Sequence, residues 1–142
     1  MILRCDLTAQ YKKYKREIDR AIKKTLESGR YTLGEEVSIF ENEFADYISC
    51  GYSIGVGNAT DGLILSLKAF DIGAGDEVIT TPFTAIPTVS AIIATGAKPV
   101  FVDIDEKTFL IDIDKISSFI THKTKAIVPV HIFGNVVDVK RL

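Results

Sequence analysis

The chain has 142 residues, of which 46% are hydrophobic and 25% are charged, a composition typical of one globular domain that buries its own core. The 17 basic and 19 acidic residues give a net charge of −2, which argues against a nucleic-acid partner. No apolar run approaches the length of a membrane span, and the amino terminus lacks the apolar core of a signal peptide, so we expect a cytoplasmic protein without a membrane partner.

Residues 1–51 are predicted to form an amino-terminal helical segment. Apolar residues at helical spacing predict one helix over residues 11–26 and a second over residues 37–48. Gly29 and Gly51 follow these two patterns and are predicted to end the helices. The loop "GRYTLG" connects them. Two cysteines, Cys5 and Cys50, share no metal-ligand spacing, so we expect free thiols and no metal site.

From residue 52 onward, short apolar runs alternate with helical patterns. Strands are predicted over residues 52–56, 77–81, 98–104 and 125–132, and helices over residues 63–70, 86–96 and 112–120. This alternation is typical of βαβ units and indicates an α/β fold with a mostly parallel sheet. Because the strands are nearly continuous in apolar residues, we expect helices on both faces of the sheet.

The stretch "GVGNATDGLILSLKAF", residues 55–70, places glycines and small polar residues directly before a helical pattern. Such a turn leaves backbone N–H groups free at a helix start, where they bind an anion. A dinucleotide-binding fingerprint fits Gly55 and Gly57, but Thr60 stands where a third small residue is needed. A P-loop is excluded because Leu63 and Ile64 replace its lysine and hydroxyl residue.

A single phosphate monoester is the third interpretation of this turn. In this interpretation Asn58 or a neighbour caps the helix, the amides of Ala59, Thr60 and Asp61 point outward, and the Thr60 hydroxyl adds one donor. The alternative is that Asn58 and Asp61 only cap a helix and hold no ligand. Spacing alone leaves both open.

Three longer stretches carry a more specific signal than the turn. They are "LESGRYTLGEEVSIFENEFADYI", "GVGNATDGLILSLKAFDIGAGDEVITTPFTAIPTVSAIIATGAKPVFVDID" and "KTKAIVPVHIFGNVVD". In this order they closely resemble the amino-terminal part of the sugar aminotransferases of the DegT/DnrJ/EryC1/StrS family. The resemblance implies that residues 52–142 are the first βαβ units of the large domain of the aspartate-aminotransferase fold, the type I fold of pyridoxal phosphate (PLP) enzymes.

The resemblance also implies a cofactor, substrates and an assembly. The cofactor would be PLP, the substrate a nucleotide-linked keto sugar, the amino donor one such as glutamate, and the assembly a homodimer. The phosphate-contacting turn of the family corresponds to Ala59, Thr60 and Asp61. In the family an aromatic residue lies against the cofactor ring, and it comes from the segment that matches "TPFTAIPT". Its usual position holds Ala85 here, which leaves Phe83 as the available aromatic residue.

Three further residues are candidates for substrate binding. By resemblance the "GRYTLG" loop borders the substrate opening, where Arg30 and Tyr31 would meet a phosphate or a dicarboxylate donor. His131 is predicted to end the last strand, and ligands of α/β sheets bind beyond strand carboxyl ends. The alternatives are a solvated loop for Arg30 and an ordinary structural histidine for His131.

Transamination needs a lysine that forms a Schiff base with the cofactor and a carboxylate beside the pyridine nitrogen. By resemblance both residues are expected beyond Leu142, so no catalytic residue is predicted within the chain. We therefore expect an aminotransferase part that is inactive alone. The alternative is a non-catalytic binding or regulatory remnant of the family.

Overall fold

The computed structural model describes residues 5–142 and divides the chain into two compact units, Met1–Gly55 and Val56–Leu142. The first, here called the helical unit, contains α1 (Leu7–Ser28) and α2 (Glu35–Tyr47). The second is called the α/β unit. Its elements in chain order are α3 (Ala59–Ala69), β1 (Glu77–Thr80), α4 (Ile86–Ala94), β2 (Lys98–Phe101), α5 (Ile113–Ile116) and β3 (Thr124–Ile127).

The ends of α1 follow its sequence signals. Asp6 precedes the helix, and its Oδ1 accepts a hydrogen bond from the Ala9 amide at 2.9 Å. Gly29 follows it with φ of 66°, a left-handed conformation that glycine adopts without a Cβ clash. The prediction that Gly29 ends the helix is confirmed. No helix within residues 5–142 is both long enough and apolar enough to cross a membrane.

α2 ends earlier than its pattern predicts. Its last residue is Tyr47, and the left-handed residue that follows is Ser49, with φ of 56°. The Cys50 amide then donates to the Ala45 carbonyl at 3.0 Å, which closes the helix end. The prediction that Gly51 ends this helix is wrong, because the turn is complete before the chain reaches that glycine.

The helical unit buries very little of its apolar face. Of its described residues only Ala45 is buried. Phe40 and Phe44 stack on each other with ring centroids 5.7 Å apart, yet Phe40 is 58% exposed. Ile22 and Leu26 of α1 are 54% and 59% exposed. The helical pattern therefore produces an apolar stripe that packs little within this unit.

The α/β unit is built on a three-stranded parallel sheet with the order β2-β1-β3. In the centre of the ladder, Ile79 pairs with Val100 on one side and with Ile127 on the other. Val78 pairs with Pro99, which cannot donate to a ladder and is tolerated because β2 is an edge strand among the described residues. The predicted parallel sheet is confirmed.

Two core clusters cover the two faces of the sheet. Val78 and Ile79 of β1 are fully buried and point to opposite faces. One cluster joins Val78 to α3 and α4 and contains Leu67, Ile72, Ile92 and Ala97. The other joins Ile79 to α5 and the carboxyl-terminal segment and contains Val102, Ile111, Ile116 and Val137. The prediction of helices on both faces of an α/β fold is confirmed.

A buried carboxylate connects the starts of the strands. Glu77 Oε2 accepts a hydrogen bond from the Thr121 hydroxyl at 2.7 Å, and Oε1 accepts one from Lys98 Nζ at 3.2 Å. The Thr121 hydroxyl, followed by the Lys98 ammonium, lowers the pKa of Glu77. Because Lys98 begins β2 and Thr121 precedes β3, one side chain joins three strands at this edge.

The strand predicted over residues 52–56 is absent. The Gly55 amide instead donates to Glu41 Oε1 at 2.6 Å. A strand exists only where a neighbouring strand shares its hydrogen bonds, and no described residue pairs with this segment.

Three other predicted elements are shorter than expected. The helix predicted over residues 112–120 consists of α5 followed by a 3₁₀ turn at Ser117–Phe119. The strands predicted over residues 98–104 and 125–132 end at Phe101 and Ile127, because β1 between them has only four residues to pair with. His131 therefore follows β3 and precedes a 3₁₀ turn at Ile132–Gly134.

Candidate functional site

The glycine turn leads into a capped helix start. Asn58 has extended backbone angles, and its Oδ1 accepts a hydrogen bond from the Asp61 amide at 3.0 Å. Its carbonyl accepts one from the Gly62 amide at 3.1 Å. The prediction that Asn58 caps α3 is confirmed. Within residues 5–142 the amides of Ala59 and Thr60 have no acceptor, so these two remain available to an anion.

Gly57 makes room for the Asp61 carboxylate. A Cβ atom added at Gly57 would lie 3.0 Å from Asp61 Oδ2. The same oxygen accepts a hydrogen bond from Asn58 Nδ2 at 2.8 Å. Cap and turn therefore support each other, and a side chain at the second glycine of the turn would push the Asp61 carboxylate aside. The Asp61 amide is not available to a ligand, unlike the amides of Ala59 and Thr60, because it already donates to Asn58 Oδ1.

The start of α3 lies at the carboxyl edge of the sheet. Residues 70–76 lead from the end of α3 directly to the start of β1, so α3 runs against the strand direction. Its 11 residues span about 16 Å, which exceeds the length of a four-residue strand. Phe83 after β1 and His131 after β3 follow the carboxyl ends of neighbouring strands. The site residues of the α/β unit therefore share one edge.

Phe83 presents an aromatic ring at this edge. The residue is 40% exposed and belongs to neither core cluster. It contacts Phe109 with centroids 5.9 Å apart and a 38° tilt, and Phe133 with centroids 6.1 Å apart in an edge-on arrangement. Ala85, the other candidate position, is the exposed residue before α4. Phe83 is therefore the aromatic residue that this segment leaves partly exposed at the sheet edge.

Sequence reasoning missed Phe109 and Phe133. Both follow strands, as Phe83 does, because Phe109 comes after β2 and Phe133 after β3. Parallel strands bring such loops to one edge. An aromatic residue after each of three neighbouring strands was the available signal, although sequence alone does not reveal the order of the strands.

His131 has a defined hydrogen bond. Its Nδ1 accepts from the Val137 amide at 3.0 Å, which leaves Nε2 to carry the proton of the neutral ring. The imidazole is exposed and can donate outward. No group of three or more His, Cys, Asp or Glu side chains within residues 5–142 is arranged to hold a metal ion.

Arg30 and Tyr31 belong to the helical unit and are both exposed. The Arg30 amide donates to Ser28 Oγ at 3.1 Å, and the Tyr31 hydroxyl donates to the Leu26 carbonyl at 3.2 Å. These contacts hold the loop against the end of α1. They give Tyr31 a structural role, and substrate contact by either side chain stays a prediction.

Comparison with known proteins decides the family. Residues 12–142 match the DegT/DnrJ/EryC1/StrS aminotransferase family. The chain belongs to this family. The resemblance seen in the sequence is thereby confirmed, as is the type I fold. Similar solved structures carry PLP or its amino form, pyridoxamine phosphate, which is the cofactor that the resemblance implies.

The relatives of this chain include nucleotide-sugar transaminases. A dTDP-3-amino-3,6-dideoxy-alpha-D-galactopyranose transaminase of Aneurinibacillus thermoaerophilus is 46% identical over 100% of this chain and 39% of its own length. A pleiotropic regulatory protein of Geobacillus stearothermophilus is 44% identical over 96% of this chain and 37% of its own length. S. venezuelae DesV, solved with a ketimine intermediate, has a TM-score of 0.93 and 41% identity over 96% of this chain and 37% of its own. The chain thus spans under two fifths of the length of these relatives.

The residues at the carboxyl edge fit a PLP group. Two amides without acceptors and the Thr60 hydroxyl form a donor set for a phosphate at the end of a helix. The exposed Phe83 ring offers an apolar face to a pyridine ring. This edge therefore offers N–H donors suited to a phosphate and an aromatic face suited to a pyridine ring.

Proposed function

We propose that this chain forms the phosphate- and ring-binding part of a PLP-dependent aminotransferase that acts on nucleotide-linked keto sugars in amino-sugar and polysaccharide biosynthesis. The amino donor would be one such as glutamate. One observation carries the proposal: the free amides at the start of α3 lie at the same sheet edge as Phe83. Its support beyond this geometry is that the family and its relatives are sugar transaminases.

The roles of the α3 residues follow from their hydrogen bonds. The Ala59 and Thr60 amides and the Thr60 hydroxyl donate to the phosphate, while Asp61 keeps the turn closed through Asn58. A helix terminus stabilises an anion by only about 0.3–1 kcal/mol, so the ring contact is needed as well. Once bound, PLP supplies the electron sink for amino-group transfer.

The remaining site residues would act on the ring and the substrate. Phe83 packs against the pyridine ring and excludes water from that face. His131 donates from Nε2 to a ligand oxygen, because Nδ1 is occupied by the Val137 amide. Arg30 and Tyr31 meet the sugar nucleotide or the donor carboxylate.

We further propose that residues 1–142 do not transaminate by themselves. Lys68 lies in the last turn of α3, and Lys98 begins β2, so both are at the amino edge of the sheet, away from the site. Lys115 pairs with Asp112 at 2.8 Å, which occupies its ammonium group. Reduction with borohydride in the presence of PLP tests this, and we expect no lysine to be labelled stoichiometrically. One specifically labelled lysine would contradict it.

Binding at the start of α3 is tested by NMR titration. Inorganic phosphate and pyridoxamine phosphate, which lacks an aldehyde that reacts with surface lysines, are added to the isotope-labelled chain. We expect weak binding with the largest amide shifts at Ala59 and Thr60. The Asp61 amide should shift less because it already donates to Asn58.

The start of α4 provides an internal control. This helix has Pro87, which lacks an N–H group, in its first turn, and the Thr88 amide already donates to the Ala85 carbonyl at 3.1 Å, so it presents fewer free N–H groups to an anion. Thr60→Val should weaken binding of both ligands by removing one donor. Equal shifts at both helix starts, or shifts confined to other residues, would contradict the proposed phosphate site.

The proposal includes a cytoplasmic homodimer that binds neither nucleic acid nor membrane. Its support is the exposed apolar face of the helical unit, together with β3, which within residues 5–142 is an edge strand that offers unpaired backbone groups. We expect light scattering to detect dimers or larger species. A compact monomer with a cooperative melt would contradict this part of the proposal.

A second candidate is a non-catalytic binding or regulatory role for the same surface. The observation that favours it is the 44% identity to a pleiotropic regulatory protein. Assay of a polypeptide that continues to the length of the relatives separates the two. Amino transfer to a nucleotide-linked keto sugar favours the first candidate. Ligand binding without turnover favours the second.

A further inference from the structure

Three phenylalanines from three separate loops meet at the carboxyl edge of the sheet. Phe83 follows β1, Phe109 follows β2 and Phe133 follows β3. Phe83 contacts both of the others, with centroid distances of 5.9 and 6.1 Å. It is therefore the common member of the cluster.

The two partners of Phe83 have unusual backbone conformations. Phe109 has φ of 60° and Phe133 has φ of 53°, both in the left-handed region that bulky residues rarely adopt. Such positions persist where the surrounding structure holds them, and they are concentrated at functional sites. Phe133 is also 84% exposed, so burial of its ring in a core does not explain its position.

Hydrogen bonds hold both loops in place. Asp105 Oδ1 accepts from the Thr108 amide and hydroxyl, each at 2.9 Å, and the Asp105 carbonyl accepts from the Phe109 amide at 2.9 Å. Asn135 Nδ2 donates to the Thr108 carbonyl at 3.1 Å and so links the loop after β3 to the loop after β2. The rings of Phe109 and Phe133 are thus presented by loops that are connected to each other.

We propose that Phe109 and Phe133 are positioning residues that hold the Phe83 ring in the orientation in which it packs against the planar ring of the cofactor. This inference rests on the proposed function, in which Phe83 provides that contact. A partly exposed phenylalanine without neighbours exchanges between rotamers, whereas tilted and edge-on aromatic contacts restrict it. A ring that is already oriented loses less conformational freedom on binding, so affinity for a planar ligand rises.

The test compares a ring ligand with a phosphate that has no ring. Dissociation constants for pyridoxamine phosphate and inorganic phosphate are measured by NMR titration of the full chain and of the variants Phe109→Leu and Phe133→Leu. Leucine keeps an apolar side chain and is as restricted as phenylalanine at positive φ, so only the aromatic contact changes. We expect each variant to weaken binding of pyridoxamine phosphate by about 2- to 12-fold, the range of an aromatic pair, without changing binding of inorganic phosphate.

Two controls accompany these variants. Phe70→Leu changes a phenylalanine that is 80% exposed and lies outside the cluster, and it should leave both affinities unchanged. Phe133→Tyr keeps the aromatic ring and should retain the affinity of the unmodified chain. A loss caused equally by Phe70→Leu, or a loss with Phe133→Tyr as large as with Phe133→Leu, would overturn the inference.

Phe83→Leu separates this inference from the proposed function. If it weakens binding of pyridoxamine phosphate while Phe109→Leu and Phe133→Leu do not, Phe83 contacts the ring without help and the inference is wrong. If it has no effect, the ring contact in the proposed function is wrong and the inference fails with it. Both the ring contact and the inference are also wrong if the unmodified chain binds pyridoxamine phosphate no more tightly than inorganic phosphate.

Discussion

The helical unit and the α/β unit contain similar apolar side chains but bury them very differently. Among the described residues, eleven buried apolar residues lie in the α/β unit, whereas the helical unit has one, Ala45. Both units have the apolar periodicity expected of their elements. The difference teaches that periodicity specifies which face is apolar but not what covers it.

Ion pairs on the surface of α1 add too little stability to replace a buried core in the helical unit. α1 has exposed ion pairs at i,i+4 spacing, Lys15 with Asp19 and Lys23 with Glu27. Each such pair contributes only about 0.3–0.5 kcal/mol. Helices in proteins depend mainly on the packing of their apolar face, so we expect the helical unit to be the less stable of the two.

The largest expected contrast comes from the same substitution in the two units. Ile79→Ala removes a fully buried side chain from a core cluster and should lower the free energy of unfolding by about 2–5 kcal/mol. Ile22→Ala truncates a side chain that is 54% exposed and should change the free energy of unfolding by about 0.5 kcal/mol or less. Urea denaturation measures both. Comparable losses would show that the stripe of the helical unit is buried in solution.

Helix caps sharpen the comparison at a smaller scale. Asn58→Ala removes the cap of α3 and should destabilise the α/β unit by about 0.5–2 kcal/mol. Asp6→Ala removes the equivalent bond to the Ala9 amide of α1. There we expect faster amide exchange in the first turn and little change in the main unfolding transition. A loss as large as that of Asn58→Ala would contradict the expectation that the first turn of α1 contributes little to the main unfolding transition.

The carboxylates Glu77 and Asp19 extend the comparison to pH. The folded pKa of Glu77 is lowered by Thr121 and Lys98, so its contribution to stability is present above the ordinary glutamate value of 4.5 and disappears as the pH falls through the lower folded value. Glu77→Gln should therefore reduce stability at neutral pH, and the difference from the unmodified chain should shrink on acidification.

Asp19→Asn is the matched control for this pH effect. Lys15 and Tyr11 lower the pKa of Asp19, but the pair is exposed on α1. Solvent screens such pairs, so the pH dependence of unfolding should hardly change. The measurement is the melting temperature as a function of pH. If both substitutions changed its dependence below neutral pH equally, the distinction between the units would not extend to electrostatics.

The smallest effects are expected from two glycines. Gly57→Ala places a Cβ atom 3.0 Å from Asp61 Oδ2, so the carboxylate must shift and the cap of α3 weakens slightly. Gly51→Ala meets no atom within 4 Å, and its backbone is not left-handed. It should be neutral or should raise stability by up to about 0.4–1 kcal/mol through the unfolded chain. Thermal melts of both variants measure the contrast, and a loss caused by Gly51→Ala would contradict it.

Local signals in the sequence were sufficient for much of the fold. Gly29 and Asn58 were predicted at their helix boundaries, because a left-handed stop and a side-chain cap depend on residues within one turn. The segment at residues 52–56 failed, because a strand depends on a partner that is distant in sequence. Gly51 failed for a related reason, since Ser49 had already completed the turn.

The sequence by itself determined the α/β class, the family and the helix cap at Asn58, because these depend on periodicity, motif order and short-range hydrogen bonds. Tertiary structure alone decided the strand order β2-β1-β3 and the meeting of Phe83, Phe109 and Phe133. It also decided that Glu77 joins three strands at the opposite edge. These contacts join residues 21 to 50 positions apart, and neighbours at that distance are set by how strands pair and helices pack.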